Sequence, residues 1–430
     1  MRTFYQVAGN SLLVTLANFF LWFALVFWVY LETRSVLASS IIAGAYMVIA
    51  TVSSFAFGGI VDHHKKKSAM LFSSLLTLFF FAASGAIYLM APPQVFKDAD
   101  SPWLWTFVTA VLLGVIMSNI RTIALPTIVT ILVPEDRRDK ANGVSGMIMG
   151  LSSSGAGVAS GLGLAWFGMF PIVVASTVIT VIALIHLALL AVPEPEIIHS
   201  HENPKKLDIK GTMAIIAAIP GLFALIFFTT FNNFLGGVFM ALMDPYGLSL
   251  MSVQAWGLLW GVLSLGFIAG GIYITRWGLG KKPLKTLFVV NIIMWAATLI
   301  FPLQPSILLL AAGVLVWTLL VPFIEATEHT IIQKVVPLER QGRVFGFAQS
   351  VETAASPITA FLVGPLAHFI LIPFMTTGAG VRWIGDWFGT GDGRGMALTF
   401  IIAAFVGLVV TILAMYSRSY RLLSVEYERP

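Results

Sequence analysis

Two carboxylates and an imidazole stand within five positions in Glu325-Ala326-Thr327-Glu328-His329, inside a long apolar run. A third acid, Glu352, lies in the next apolar run, and Arg121 interrupts an earlier one. A charge held in lipid costs at least ~2.5–3.5 kcal/mol, so such groups are candidates for function wherever they occur. Glu325 and His329 are four residues apart and share one helix face, with Glu328 beside them. Groups so placed can pass a proton among themselves, and proton coupling is the chemistry they best serve. Structural ion pairs, Glu325 or Glu328 with Arg121 or His329, are the competing reading. Zinc ligation by Glu325 and His329 is disfavoured, since no second histidine sits at ligand spacing, and no metal is expected. Arg121 is expected to neutralise an acid of these runs, or otherwise to attract an anionic cargo.

The segments that must hold these groups are runs of roughly twenty apolar residues, each enough to cross a hydrocarbon core of ~30 Å. Twelve are legible: 10–31, 36–60, 69–91, 103–133, 140–166, 171–192, 212–240, 253–275, 284–301, 306–335, 342–370 and 396–416. Polar residues recur in every third run at helical spacing. They are Ser11, Thr15, Asn18 and Trp22 in the first and Ser118, Asn119, Arg121 and Thr122 in the fourth. Thr229, Asn232, Asn233 and Gly236 follow in the seventh, and Glu325, Glu328, His329 and Gln333 in the tenth. The eleventh adds Gln349, Glu352, Thr353 and Ser356, with Glu352 ~15 Å along its helix, close to midplane.

Composition agrees with lipid burial. Of 430 residues, 58% are hydrophobic and only 10% charged, with a mean hydropathy of +0.91, whereas soluble domains carry about 25% charged residues. The net charge of +5 is no nucleic-acid signature. Arg34, Lys97, Arg382 and Arg394 fall on one side and Arg121 within a run, while the remaining Lys and Arg lie on the other side or at the termini. That asymmetry makes the basic side cytoplasmic and, with an even number of crossings, puts both termini there. The chain has no cysteine, which removes disulfides and thiol chemistry. The first apolar run is long enough to remain as an anchor, and no separate cleavable signal is read. No Gly-x-x-x-x-Gly-Lys-Ser/Thr loop, Gly-x-Ser-x-Gly elbow, His-Glu-x-x-His or dinucleotide turn is present, so neither an ATP motor nor a hydrolase is expected. Ser152-Ser153-Ser154-Gly155 reads as helix packing.

The turn after the second run is Phe57-Gly58-Gly59-Ile60-Val61-Asp62-His63-His64-Lys65-Lys66-Lys67-Ser68, one acid followed by a basic cluster. Small residues such as Gly58 and Gly59 let membrane helices approach closely. A weak internal repeat is also visible. Val133-Pro134-Glu135-Asp136-Arg137 and Val336-Pro337-Leu338-Glu339-Arg340 end the fourth and tenth runs, and Gly143 and Gly342 follow. The matching turn of the second half, Gly270-Gly271-Ile272-Tyr273-Ile274-Thr275-Arg276, keeps the glycines and lacks the acid. The polar stretch 193–211, with His199, His201 and Glu202, divides the chain six runs and six and reads as a solvated linker.

Gly58, Asp62 and the lysines after it resemble the signature loop of the major facilitator superfamily, except that Lys65 replaces that loop's second glycine. The paired Val-Pro ends, and Gly342-Arg343-Val344-Phe345, resemble the branch of bacterial facilitators holding multidrug, macrolide and enterobactin exporters. The resemblance implies an all-α membrane protein with twelve transmembrane helices in two pseudo-symmetric six-helix bundles. Residues 1–192 would form the N-terminal bundle, 193–211 a cytoplasmic linker and 212–430 the C-terminal bundle. It further implies a gate in which Asp62 docks on the positive end of a helix, with Gly58, Lys66, Gly342 and Arg343 around it. Runs one, four, seven and ten would line a cavity containing Asn18, Trp22, Asn119, Phe231, Asn232, Asn233 and Gln349.

The expected function is therefore secondary active transport, most simply proton-coupled efflux of amphipathic drug-like compounds by alternating access. Thirty-three Phe and twelve Trp suit such cargo through dispersion and cation–π contacts better than they suit sugars. A specific transporter of a siderophore, lysophospholipid or other metabolite is the alternative within transport. A membrane-embedded enzyme or assembly factor is the alternative outside it, and the chain is not expected to be an enzyme. No cofactor is expected, a proton gradient supplying the energy. The partners are a small-molecule substrate and the lipid bilayer, with no nucleic acid, in a monomer of the inner (cytoplasmic) membrane.

Overall fold

The computed structural model describes residues 1–33, 35–194 and 209–429. Residue 34 and residues 195–208, which include His199, His201 and Glu202 of the expected linker, lie outside the described residues. The described chain is helical throughout, without strands. In order come α1 (Arg2–Thr33), α2 (Val36–His63), α3 (Lys66–Met90), α4 (Pro102–Leu132), α5 (Arg138–Phe167) and α6 (Met169–Leu189). Then follow α7 (Ile209–Ala218), α8 (Leu222–Leu250), α9 (Val253–Leu263), α10 (Leu265–Trp277), α11 (Pro283–Ile300) and α12 (Ile307–Val335). The chain ends with α13 (Gln341–Leu366), α14 (Ile372–Thr376), α15 (Ala379–Phe388), α16 (Asp392–Met415) and α17 (Arg418–Glu428). Twelve helical segments of the described chain are long and apolar enough to cross a membrane. In lipid only such closed backbone hydrogen bonding is tolerated, which is why apolarity and helicity coincide here.

The chain divides into two compact units. One comprises Met1–Thr212 with Val336–Ser350, the other Met213–Val335 with Val351–Pro430. In the first, α1 packs on α4, α5 and α6, and α3 on α4 and α6. A cluster of rings from Trp28, Tyr88, Phe96 and Phe107 fills one end of that unit, at centroid separations of 5.1–5.9 Å. In the second, α11 packs on α12 and α16, around a core that includes Tyr246, Trp295, Phe301 and Phe400.

Two expected boundaries move. The seventh crossing was expected at 212–240 and is instead α8, Leu222–Leu250, with the short α7 ahead of it. Pro220-Gly221 explains the shift: proline cannot donate to a continuing helix, and Gly221 takes the left-handed conformation with φ of +82°. A Cβ at Gly221 would also sit 2.7 Å from that of Leu423 in α17. The stretch 371–395, between the eleventh and twelfth expected runs, contains α14 and α15. Arg394 anchors it by donating from Nη2 to the carbonyls of Pro302 (2.7 Å) and Leu303 (3.0 Å), with its guanidinium 3.8 Å from the Phe388 ring centroid.

The sequence repeat is a structural one. Pro134 (φ −54°, ψ 147°) and Pro337 (φ −54°, ψ 141°) each lead into a single 3-10 turn, Glu135–Arg137 and Leu338–Arg340, and then into α5 and α13.

One packing contact sets the position of the acids. Thr229 meets Glu352, and Asn233 meets Ser356, both at a separation of 123 residues. Gly237 meets the backbone of Ser356 and Ala360. α8 and α13 thus run in parallel, in one register, repeating every four residues along the same ridge. The approach depends on Gly237, where any Cβ would collide with the Ser356 carbonyl. We predict that Gly237→Leu destabilises the protein by ~1–3 kcal/mol through overpacking. A lowered Tm in detergent checks it, and an unchanged Tm would show that the two helices are not in contact there.

Candidate functional site

The acids of α12 and α13 converge on one hydroxyl of α8. Thr229 Oγ1 donates towards Glu352 Oε1 at 2.7 Å and lies 3.3 Å from Glu328 Oε1. Glu328 is buried, Glu352 half-buried and Glu325 exposed. Glu325 interacts electrostatically with both other acids. The contact the structure brings out is one between helices, Glu328 and Glu352 at Thr229. A hydroxyl has one hydrogen to give, so Thr229 can serve only one of the two carboxyl oxygens at a time. If both acids are ionised, two like charges stand at one hydroxyl.

Asn232 and Asn233 point different ways, as neighbours on a helix must. Asn232 Oδ1 accepts from Trp295 Nε1 at 2.9 Å, on α11. The Asn233 carbonyl accepts from Ser356 Oγ at 2.7 Å, on α13. Asn233 thus flanks the acids, while Asn232 ties α8 to α11. Phe231 stacks between Phe227 and Phe234 along α8.

In the first unit, Arg121 does not neutralise an acid. Its guanidinium is buried, donates from Nη1 and Nη2 to Asn10 Oδ1 at 2.9 Å each, and reaches Ser74 Oγ from Nε (3.2 Å) and Nη2 (3.0 Å). Among the described residues it forms no ion pair, so the expectation of a carboxylate partner is corrected. Amide and hydroxyl oxygens satisfy the donors instead, because Asn10 and Ser74 lie across α1 and α3 at the right depth. Asn10 passes the interaction on through Nδ2, to the Ala183 carbonyl (2.7 Å) and His186 Nδ1 (3.1 Å). His186 is the outer end of this chain of contacts.

Of the other expected cavity residues, Asn18 is buried in α1. The Trp22 ring centroid lies 4.6 Å from that of Tyr46, and Tyr46 has Asn119 as its side-chain neighbour. Gln349 Nε2 donates to Thr122 Oγ1 at 3.2 Å, and Thr122 to the Asn119 carbonyl at 2.6 Å. Trp22, Asn119 and Gln349 thus belong to one aromatic and polar patch. Among the described residues no three His, Asp or Glu side chains are grouped as metal ligands.

At the end of α2, Asp62 Oδ1 accepts the Gly342 N–H at 2.6 Å and Oδ2 the Arg343 N–H at 2.9 Å. These are free donors of the first turn of α13, where the helix dipole also favours an anion. Arg343 Nε stands 3.7 Å from Asp62 Oδ2, and Lys66 Nζ donates to the Val61 carbonyl at 2.6 Å. The backbones touch. A Cβ on Gly58 would lie 2.5 Å from the Gly342 carbonyl oxygen, and one on Gly346 2.9 Å from Gly58 Cα. Two residues given no role in the sequence reading join this junction. Glu194 accepts the N–H groups of Lys66 and Lys67, capping α3 from 128 and 127 residues away. His63 bonds to Arg343. Asn10, Ser74, His63 and Glu194 carried no signal beyond being polar near a run, since their partners are distant in the chain.

The sequence profile of the Major Facilitator Superfamily matches residues 7–360. The chain belongs to that family. Among solved structures, a bacterial homologue of the iron transporter ferroportin in an outward-facing state superposes with a TM-score of 0.72 at 15% identity, covering 97% of this chain and all of the other. The human organic anion transporter MFSD10 (TETRAN) gives 0.66 at 13%, covering 94% and 99%. The proton:xylose symporter XylE, bound to 6-bromo-6-deoxy-D-glucose, gives 0.66 at 13%, covering 96% and 95%. These likenesses establish the major facilitator fold. No curated protein matches the sequence.

For this facilitator, Asn10→Ala is the more damaging of two related changes, because it leaves a buried guanidinium short of its acceptor, whereas Arg121→Gln removes the charge itself. The expected difference is ~1–3 kcal/mol of stability. Thermal unfolding of both variants in one detergent checks the order, and an equal loss would show that Arg121 is solvated rather than held.

Proposed function

We propose that this facilitator is a secondary active transporter that exports amphipathic compounds in exchange for protons. The observation that carries the reading is the meeting of Glu328 and Glu352 at the Thr229 hydroxyl, in a bundle built to sit in lipid; we infer that the two acids share one proton. Loss of that proton leaves adjacent like charges, a state that favours a rearrangement admitting water or a counter-cation. The site would thus load from one side and release to the other, with Glu325 and His329 as neighbours in the exchange. Arg121, fastened to Asn10 and Ser74, is proposed to keep a fixed positive charge in the first bundle. The patch of Trp22, Tyr46, Asn119 and Gln349 has apolar faces and few fixed charges, which suits broad recognition of amphipathic or cationic cargo. The gate would be the junction at Asp62. The lysines beside Asp62 support a cytoplasmic location for it, and with it both termini.

The structural relatives are named for iron, organic anions and xylose, so fold alone does not choose a cargo. A defined metabolite is the second reading, and the same experiment separates the two. In proteoliposomes with an imposed pH gradient, a panel of amphipathic fluorescent dyes should move against gradient with wild-type protein. Glu328→Gln and Glu352→Gln should each lower proton-driven flux about tenfold or more while dye binding persists. Unchanged proton dependence in both variants removes the coupling role, and no dye transport across the panel favours the specific metabolite. Asp62→Asn should reduce transport without altering dye binding, which equilibrium binding measured beside the flux would check.

A further inference from the structure

The imidazole beside Asp62 has its protonation state dictated by its two partners. His63 Nδ1 is 2.6 Å from the Gly59 carbonyl oxygen, which can only accept. Its Nε2 is 3.0 Å from Arg343 Nη2, which can only donate. Nδ1 therefore carries the hydrogen, and Nε2 offers its lone pair to the guanidinium. Arg343 is the residue whose backbone N–H binds Asp62 and whose Nε stands near the same carboxylate. One side chain of α13 is thus held from two consecutive residues of α2.

We propose that His63 is a positioning residue of the junction between α2 and α13, and that protonating its Nε2 turns the contact with Arg343 from attraction to repulsion and loosens the junction. A hydrogen on Nε2 would leave two donors pointing at each other with no acceptor between them. The charges facing His63 do not relieve this. Its electrostatic neighbours are Arg343 from α13, His64 from α2 and Lys66 from α3, all able to carry positive charge. Asp62, the adjacent anion, is already committed to Gly342 and Arg343. The acids near Lys66 on the other segments, Glu194 and Glu339, act on that lysine. A second positive charge on His63 thus enters a cationic corner. The junction would be tight while the imidazole is neutral and slack after acidification on the side it faces. The inference deepens the reading of Asp62 as a latch and rests on it.

The chain has no natural cysteine, so His64→Cys with Arg340→Cys gives a clean pair of spin labels across the junction and also removes the second imidazole. Pulsed electron–electron distances in nanodiscs are then recorded from pH 8 to 5. The expected result is a short distance at high pH, and a longer one whose fraction rises about tenfold as the pH falls to 5. His63→Gln keeps an acceptor for Arg343 that does not titrate, and should hold the short distance at every pH. His63→Leu, with no acceptor, should show the long distance throughout. A flat response in the His63-containing pair, or the same pH response in His63→Gln, overturns the role of His63. Asp62→Asn reports separately: the long distance at all pH values supports the latch, and a retained short distance defeats the latch reading itself.

Discussion

Lipid offers no hydrogen-bond partners, so each polar group in the hydrocarbon region must be satisfied by protein or by water that protein admits. That constraint organises both units. Arg121 is tolerated because Asn10 and Ser74 surround its donors. Glu328 and Glu352 meet at the Thr229 hydroxyl. The two solutions have opposite consequences. Neutral oxygens around a guanidinium make a permanent arrangement, since the partners cannot titrate. Two carboxyl groups at one hydroxyl make a conditional one, since both can titrate.

The same economy governs the contact between α2 and α13. The free N–H groups of a helix's first turn need acceptors, and the Asp62 carboxylate supplies both oxygens to two of them. The contact is possible only because Gly58, Gly342 and Gly346 remove every side chain from the space where the backbones meet. Charge and shape are therefore inseparable here. The carboxylate could not reach α13 without the glycines, and the glycines would have nothing to hold without the carboxylate.

Much of this was legible in the order of residues. Twelve apolar runs, the paired Val-Pro turns and the acid before a lysine cluster are local patterns, and local patterns are what a sequence displays. The seventh run was misplaced because Pro220-Gly221 lies within a stretch that is apolar on both sides, so hydropathy passes over a break that backbone chemistry imposes. Partner choice was the larger gap. Arg121 was paired with an acid because opposite charges attract, yet its acceptors are 111 and 47 residues away on helices whose rotation no spacing reveals. Thr229 and Glu352 each stood out as polar, but only the parallel register of α8 and α13 brings them together.

Glu194 gives the connection out of the first six helices a mechanical meaning. Its carboxylate grips the opening N–H groups of α3, four and five residues after Asp62 in the chain, and Lys67 returns the grip through the Ala188 carbonyl at the end of α6. The strand of chain leaving α6 is thereby riveted to the turn that carries the Asp62 carboxylate.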